Sequence, residues 1–186
     1  MRQGILLYGP PAAGKDTITA ALTELDARYV PFARMKIGTG KTDGYRMGTS
    51  EQLAELEARG DVIYCNERYG NVYVVDRPGL EQAMEVGRTP VVHLGQMAGI
   101  EQVTALFPAH WVRVLLWCSK ETTAQRSPLR GDNDTAARLT TWDATRADLA
   151  AHPWAQWELR LDTDATAPRQ AAQRIDDIVR TTSPRA

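Results

Sequence analysis

At 186 residues the chain suits one domain, 1–186, with a sizeable core. Its 22 basic and 23 acidic residues nearly cancel, which argues against nucleic acid or an anionic membrane as the main partner. Cys65 and Cys118 lack metal-ligand spacing, and the apolar run after Met1-Arg2-Gln3-Gly4 is too short for a signal peptide or a membrane span, so the expectation is a cytoplasmic protein with reduced, buried thiols.

The first element is the apolar strand Ile5-Leu6-Leu7-Tyr8, which runs into Gly9-Pro10-Pro11-Ala12-Ala13-Gly14-Lys15-Asp16-Thr17 and a helix ending near Asp26. Strand, glycine loop and helix follow in the order of a phosphate-binding P-loop, whose backbone N–H groups converge on an anion at the positive end of the helix. Gly9, Ala12, Ala13, Gly14, Lys15, Asp16 and Thr17 form the expected ATP-phosphate cradle, with Lys15 reaching the β- and γ-phosphates. Asp16 stands where the motif has its hydroxyl, so Thr17 is the expected neighbour of Mg²⁺. A short extended piece at 29–32 precedes a basic, glycine-rich loop at 34–41, read either as a flexible anion-binding loop or as a solvated charged one.

Thr49-Ser50-Glu51-Gln52 reads as a capping box opening a helix that stops at Gly60. The runs 61–66 and 71–75 read as a hairpin around Arg68-Tyr69-Gly70, set beside the P-loop, with Arg77-Pro78-Gly79 breaking it. Further elements are expected as a helix at 80–86, a buried strand at 90–95, a helix at 100–107 and a strand at 111–118. Ser119 caps a helix through Arg126, a polar loop spans 127–134, and a long helix follows at 135–151. A strand at 157–161 and a helix at 168–179 end the chain. Helices alternating with continuous apolar strands predict an α/β fold: a three-layer parallel sheet covered on both faces, with ligands at the strands' carboxyl ends. His93 is expected to be a satisfied core histidine; Trp142, Trp154 and Trp157 are read as packing residues, and Arg146 and Arg160 as surface charges.

These features resemble the guanylate kinase family of P-loop nucleoside monophosphate kinases over nearly the whole chain. The likeness is carried by Gly-Pro-x-x-x-Gly-Lys, by Asp43-Gly44-Tyr45 with the following helix, by Gly60-Asp61-Val62-Ile63 and Tyr69-Gly70-Asn71-Val72-Tyr73, and by Arg126, Arg130-Gly131 and Arg138-Leu139. It implies an acceptor-binding region at about 34–76, in which Arg34, Tyr45 and Tyr73 grip the acceptor phosphate with Lys36 beside them. It also implies a lid at about 126–138, where Arg126, Arg130 and Arg138 join Lys15 around the transferring group. ATP and Mg²⁺ are the implied cofactors, a small phosphorylated molecule the implied partner, and a monomer or homodimer the expected state.

The family's guanine-reading glutamate falls on Tyr64, its hydroxyl residue near Val75, and its strand-end aspartate within His93-Leu94-Gly95-Gln96. Guanine's N–H donors need acceptors there, so the expected acceptor is a nucleoside monophosphate other than GMP, with Tyr64, Asn66 and Gln96 shaping its non-phosphate end and Glu67 able to swing in. The Gly-Lys-Asp-Thr ending also looks like that of the ribose 1,5-bisphosphate phosphokinases, which is one alternative. A non-catalytic guanylate kinase-like interaction module is the other.

Overall fold

The computed structural model describes residues 2–85, 87–128 and 135–182. Arg130 and the rest of the expected lid at 129–134, like Val86 at the expected end of a helix, lie outside them.

The central element is β1 (Gln3–Tyr8), an apolar run in which every residue from Gly4 onward is buried. A strand this continuously apolar is stable only between two covered faces. It lies between β7 (Thr89–Leu94) and β8 (His110–Trp117), and the parallel sheet is completed by β2 (Tyr29–Pro31) and β9 (Leu159–Asp162), in the order β2-β7-β1-β8-β9. Because side chains alternate along a strand, Ile5 and Leu7 enter one core and Leu6 and Tyr8 the other. The first core is closed by α1 (Lys15–Leu25) and α7 (Pro168–Thr182), through Ile18, Leu22, Ala171, Ile175 and Val179. The second is closed by α4 (Met97–Leu106), through Ile100 and Val103. The three-layer α/β expectation is met.

A second sheet stands beside the first, in the order β4-β3-β6-β5: β3 (Arg34–Ile37), β4 (Tyr45–Met47), β5 (Val62–Arg68) and β6 (Asn71–Asp76). This corrects the reading of 34–41 as a loop, since its first half is a strand pairing with both β4 and β6. The expected hairpin is therefore half of a sheet. It turns through Tyr69 and Gly70, both left-handed (φ 53° and 69°), as a two-residue connection requires. Behind the sheet lies α2 (Ser50–Arg59), which carries the expected capping box at Thr49 and Gln52 and ends on left-handed Gly60. Met35, Leu56 and Val74 form the small core between them.

Two helices start earlier than expected. Arg77-Pro78-Gly79 opens α3 (Arg77–Ala83) because Asp76 caps it, accepting from the Gly79 N–H at 2.8 Å. The amino end of α4 is held by Asp148, which accepts from Met97 N at 2.8 Å. That carboxylate belongs to α6 (Thr135–Ala151), which follows α5 (Lys120–Arg126). Ser119 caps α5 as expected, but Ser127 is buried and donates to Thr123 O, so it ends the helix instead of opening the polar loop. Trp142 is buried, with its Nε1 donating to Cys118 O at 3.0 Å, whereas Trp154 is 68% exposed and packs only on His152. Of the two thiols, Cys118 is buried and Cys65, expected to be, is exposed. Among the described residues no helix is long and apolar enough to cross a membrane.

Candidate active site

Between β1 and α1 the chain turns on residues 9–14, and its carbonyls are held from both sides. Lys15 Nζ donates to Gly9 O at 2.6 Å and Pro10 O at 2.8 Å. Thr123 Oγ1 donates to Pro11 O at 3.1 Å, and Arg126 Nη1 to Ala12 O at 3.1 Å. A helix has no internal acceptors for the amides of its first turn, so those at the start of α1, beside this loop, suit an anion. The curl needs a bare Cα at Gly9, where a Cβ would stand 2.1 Å from Leu116 O. Ala12 sits at φ 60°, one of two left-handed residues other than glycine among the described residues, the other being Tyr69; both border the same cavity.

That cavity, about 590 Å³, lies between the P-loop and the second sheet. Period-two alternation decides which side chains face it. Cross-strand partners share a face, so Lys36 and Tyr73, Asn66 and Tyr73, and Arg34 and Tyr45 point the same way. All five line the cavity with Arg68. Glu67 pairs with Val72 on the opposite face, beside the small core, and cannot swing in as expected.

The Arg34 guanidinium lies 5.0 Å from the Tyr73 ring centre, and the Tyr45 and Tyr73 rings are 5.4 Å apart, so three residues expected to act together are adjacent. Lys36 is 2% exposed; its ammonium donates to Thr39 O at 2.6 Å and Lys41 O at 2.8 Å, folding the 38–41 turn from beneath. It is thus committed to its own loop more than its expected role implies. Tyr64, expected to touch the acceptor, is 5% exposed in the second core and packs under Gly99, with its hydroxyl donating to Gln96 Oε1. Gln96 and Asn66 line the cavity themselves, and Asn66 Oδ1 is buried without a hydrogen-bond partner.

Charge in the cavity is lopsided: Lys15, Arg34, Lys36, Lys41, Arg68 and Arg138 face a single carboxylate among the described residues, Asp16. Burial pulls the Lys15 ammonium down to about 8, with Asp16 opposing the shift. His93, at the end of β7, is satisfied as expected but is not purely a core residue. Its Nε2 lies 2.7 Å from Thr19 Oγ1 and its Nδ1 3.3 Å from Asp16 Oδ1. Burial lowers its proton affinity more than Asp16 raises it, so the ring favours its neutral form.

A second cavity, about 420 Å³, opens on the outer side of the P-loop between Gly14, Thr17, Arg126 and the segment Thr163–Pro168. Arg126 is spent there, its Nη2 donating to Thr163 O at 2.8 Å. Of the expected lid arginines, only Arg138 lines the inner cavity among the described residues. Thr17 lines the outer cavity and Asp16 the inner one, so the two candidates for the metal side of the loop face different ways. Arg68 was given no role on sequence, although the alternation running through Tyr64 and Asn66 puts it on the same face.

A P-loop on a parallel sheet, with a second sheet across one cavity from it, matches two solved structures along their length. Guanylate kinase from Anaplasma phagocytophilum superposes with a TM-score of 0.67 at 19% identity, covering 100% of this chain and 88% of that one. Shikimate kinase from Acinetobacter baumannii, in complex with shikimate, gives 0.53 at 16% identity, over 100% and 97%. At these identities the likeness is one of fold. Sequence adds guanylate kinases of Chromobacterium violaceum, 28% identical over 108 residues, and of Pseudomonas fluorescens, 27% identical over 133 residues. The chain is a guanylate kinase-like P-loop protein. These alignments take in 55% and 69% of the chain, but only 51% and 64% of the two relatives, so the chain spans less than two thirds of the curated relatives it matches. No protein-family model matches it. Of the positions expected to read guanine, Gln96 lines the cavity, whereas Tyr64 and Val75 are buried in the second core.

Proposed function

We propose that the chain is an ATP-dependent phosphotransferase that moves a γ-phosphoryl group to a small phosphorylated acceptor, a nucleoside monophosphate other than GMP. One observation carries this reading: the P-loop and the Arg34, Tyr45 and Tyr73 cluster open into the same cavity. The four-stranded sheet, at about 34–76, is the acceptor region of the one kinase domain. Bound there, an acceptor phosphate faces Lys15 across the hollow. An acceptor oxygen bonds the γ-phosphorus as the bond from that phosphorus to the β–γ bridging oxygen breaks, and ADP leaves with the electron pair. Little covalent chemistry falls to the protein; its work is to align the groups and neutralise charge. Lys15 and Arg138 are the cationic partners of the group in transfer.

The residues fit Mg²⁺ carried mainly by ATP oxygens and water. Among the described residues no three His, Cys, Asp or Glu side chains gather to cage an ion, and Asp16, largely exposed at the loop's edge, offers one carboxylate. When bound, Mg²⁺ supplies neutralisation of phosphate charge. For the acceptor's distal end, Asn66 Oδ1 is one open acceptor, and Gln96, its oxygen taken by Tyr64, offers its amide nitrogen. Guanine brings two donor groups on one edge and finds no carboxylate to meet them. The cationic lining, with the Gly14-Lys15-Asp16-Thr17 ending, also favours ribose bisphosphate as a second acceptor class.

Transfer of label from γ-labelled ATP to a panel of monophosphates and pentose phosphates tests the proposal. Lys15→Ala should lower the rate about a hundred- to a thousandfold while the protein stays folded. Near-native transfer by that variant would refute the P-loop role.

A further inference from the structure

Arg68 ends β5 at the rim of the cavity, the last residue before the hairpin turn. Its guanidinium reaches back over the cavity until Nη1 lies 3.2 Å from where a Cβ on Gly95 would be. Gly95 follows Leu94, the in-register partner of Tyr8, just as Gly9 follows Tyr8, so both glycines lie at the carboxyl ends of neighbouring strands, and both line the cavity. The side chain therefore bridges the second sheet and the phosphate cradle. It lines the cavity but makes no hydrogen bond or ion pair with any described residue. Arg126, by contrast, has both terminal nitrogens bonded to backbone carbonyls in the outer cavity. A guanidinium that lines the cavity without a protein acceptor suits an anionic group of a ligand, which it can meet with two parallel N–H bonds. Its charge is felt at both ends of the cavity, since it lowers the proton affinity of Lys15 and of Tyr73.

We infer that Arg68 is a catalytic arginine, contacting the phosphoryl group as it passes from ATP to the acceptor and supplied by the hairpin of the acceptor sheet. This rests on the phosphotransferase reading above. In flight the group's charge spreads over its three equatorial oxygens, and a forked guanidinium between donor and acceptor meets that charge better than it meets either ground state. Arg34 and Tyr73, packed on each other, remain the grip on the acceptor phosphate.

The test is Arg68→Ala and Arg68→Lys, compared with the unaltered protein in steady-state transfer, in MgATP titration, and in trapping of MgADP, acceptor and aluminium fluoride as a mimic of the group in flight. The expected result for Arg68→Ala is a fall in kcat of about a hundredfold or more, loss of the trapped complex, and MgATP affinity and acceptor KM within about threefold of the unaltered protein. Arg68→Lys should recover only part of kcat, because an ammonium is not a fork. A raised acceptor KM with unchanged kcat would overturn the inference and assign Arg68 to acceptor binding, as would an unchanged trapped complex. If the unaltered protein neither binds MgATP nor transfers phosphate, the phosphotransferase reading itself fails; full activity with an indifferent Arg68→Ala sinks only the role of Arg68.

Discussion

Lys15 carries the sharpest electrostatic consequence in the molecule. Folded back on Gly9 O and Pro10 O, it loses its proton near pH 8 and not near 10.5, because burial disfavours the ammonium. The unfolded chain holds that proton up to about 10.5, so between the two values it binds more protons than the folded one, and from this group the free protein gains stability as pH rises from about 8 to about 10.5. Phosphate acts in the opposite direction, favouring the charged form. Binding of MgATP at pH 8.5 should therefore take up protons, about half or more of one per site, and affinity should weaken as pH climbs above about 8. Calorimetry in buffers of different ionisation enthalpy measures the uptake; proton release, or none, would mean that Lys15 is already fully charged in the free protein. Arg34, Tyr45 and Tyr73 were legible in sequence through the resemblance, and they do stand together. Tyr64 was not legible as a core residue, because a tyrosine reads alike on either side of a strand and only the seat under Gly99 decides.

Among the elements, the parallel sheet could be read almost strand by strand, because continuous apolar runs permit little else. The second sheet could not. β3 presents Arg34 and Lys36 on one face and Met35 and Ile37 on the other, and with Gly38 and Gly40 following, its charge and glycines outweigh a four-residue alternation. Lys36 explains the discrepancy: buried in a strand, it is tolerable only because two carbonyls of its own turn receive the ammonium. The early starts of α3 and α4 had a related cause, since one cap lies in the preceding strand and the other is a carboxylate 51 positions away. α7 is simpler, its buried stripe of Ala171, Ala172, Ile175 and Val179 facing α1 and the sheet. Ile175→Ala should cost about 2–5 kcal/mol in chemical denaturation, while transfer rates stay unchanged, since Ile175 lines neither cavity. A loss below about 1 kcal/mol would mean that α7 is loosely docked.

Across the molecule, two cavities flank one loop, and the four-stranded sheet, which packs into the second core through Ile63, Tyr64 and Val75, also meets α6 at its hairpin tip, where the Tyr69 hydroxyl lies 3.0 Å from Thr141 Oγ1. Tyr69→Phe removes one hydrogen bond, worth about 1 kcal/mol, and should speed amide exchange in the hairpin about fivefold without unfolding the parallel sheet. Unchanged exchange there would show that the tip contact holds nothing. The proposed function has this cavity transferring phosphate to an acceptor that it does not choose for guanine. Its most direct test is kcat/KM under saturating MgATP for GMP beside the other nucleoside monophosphates and the ribose phosphates. Turnover is expected with at least one acceptor, and GMP is not the best of them. GMP clearly highest in kcat/KM would contradict it.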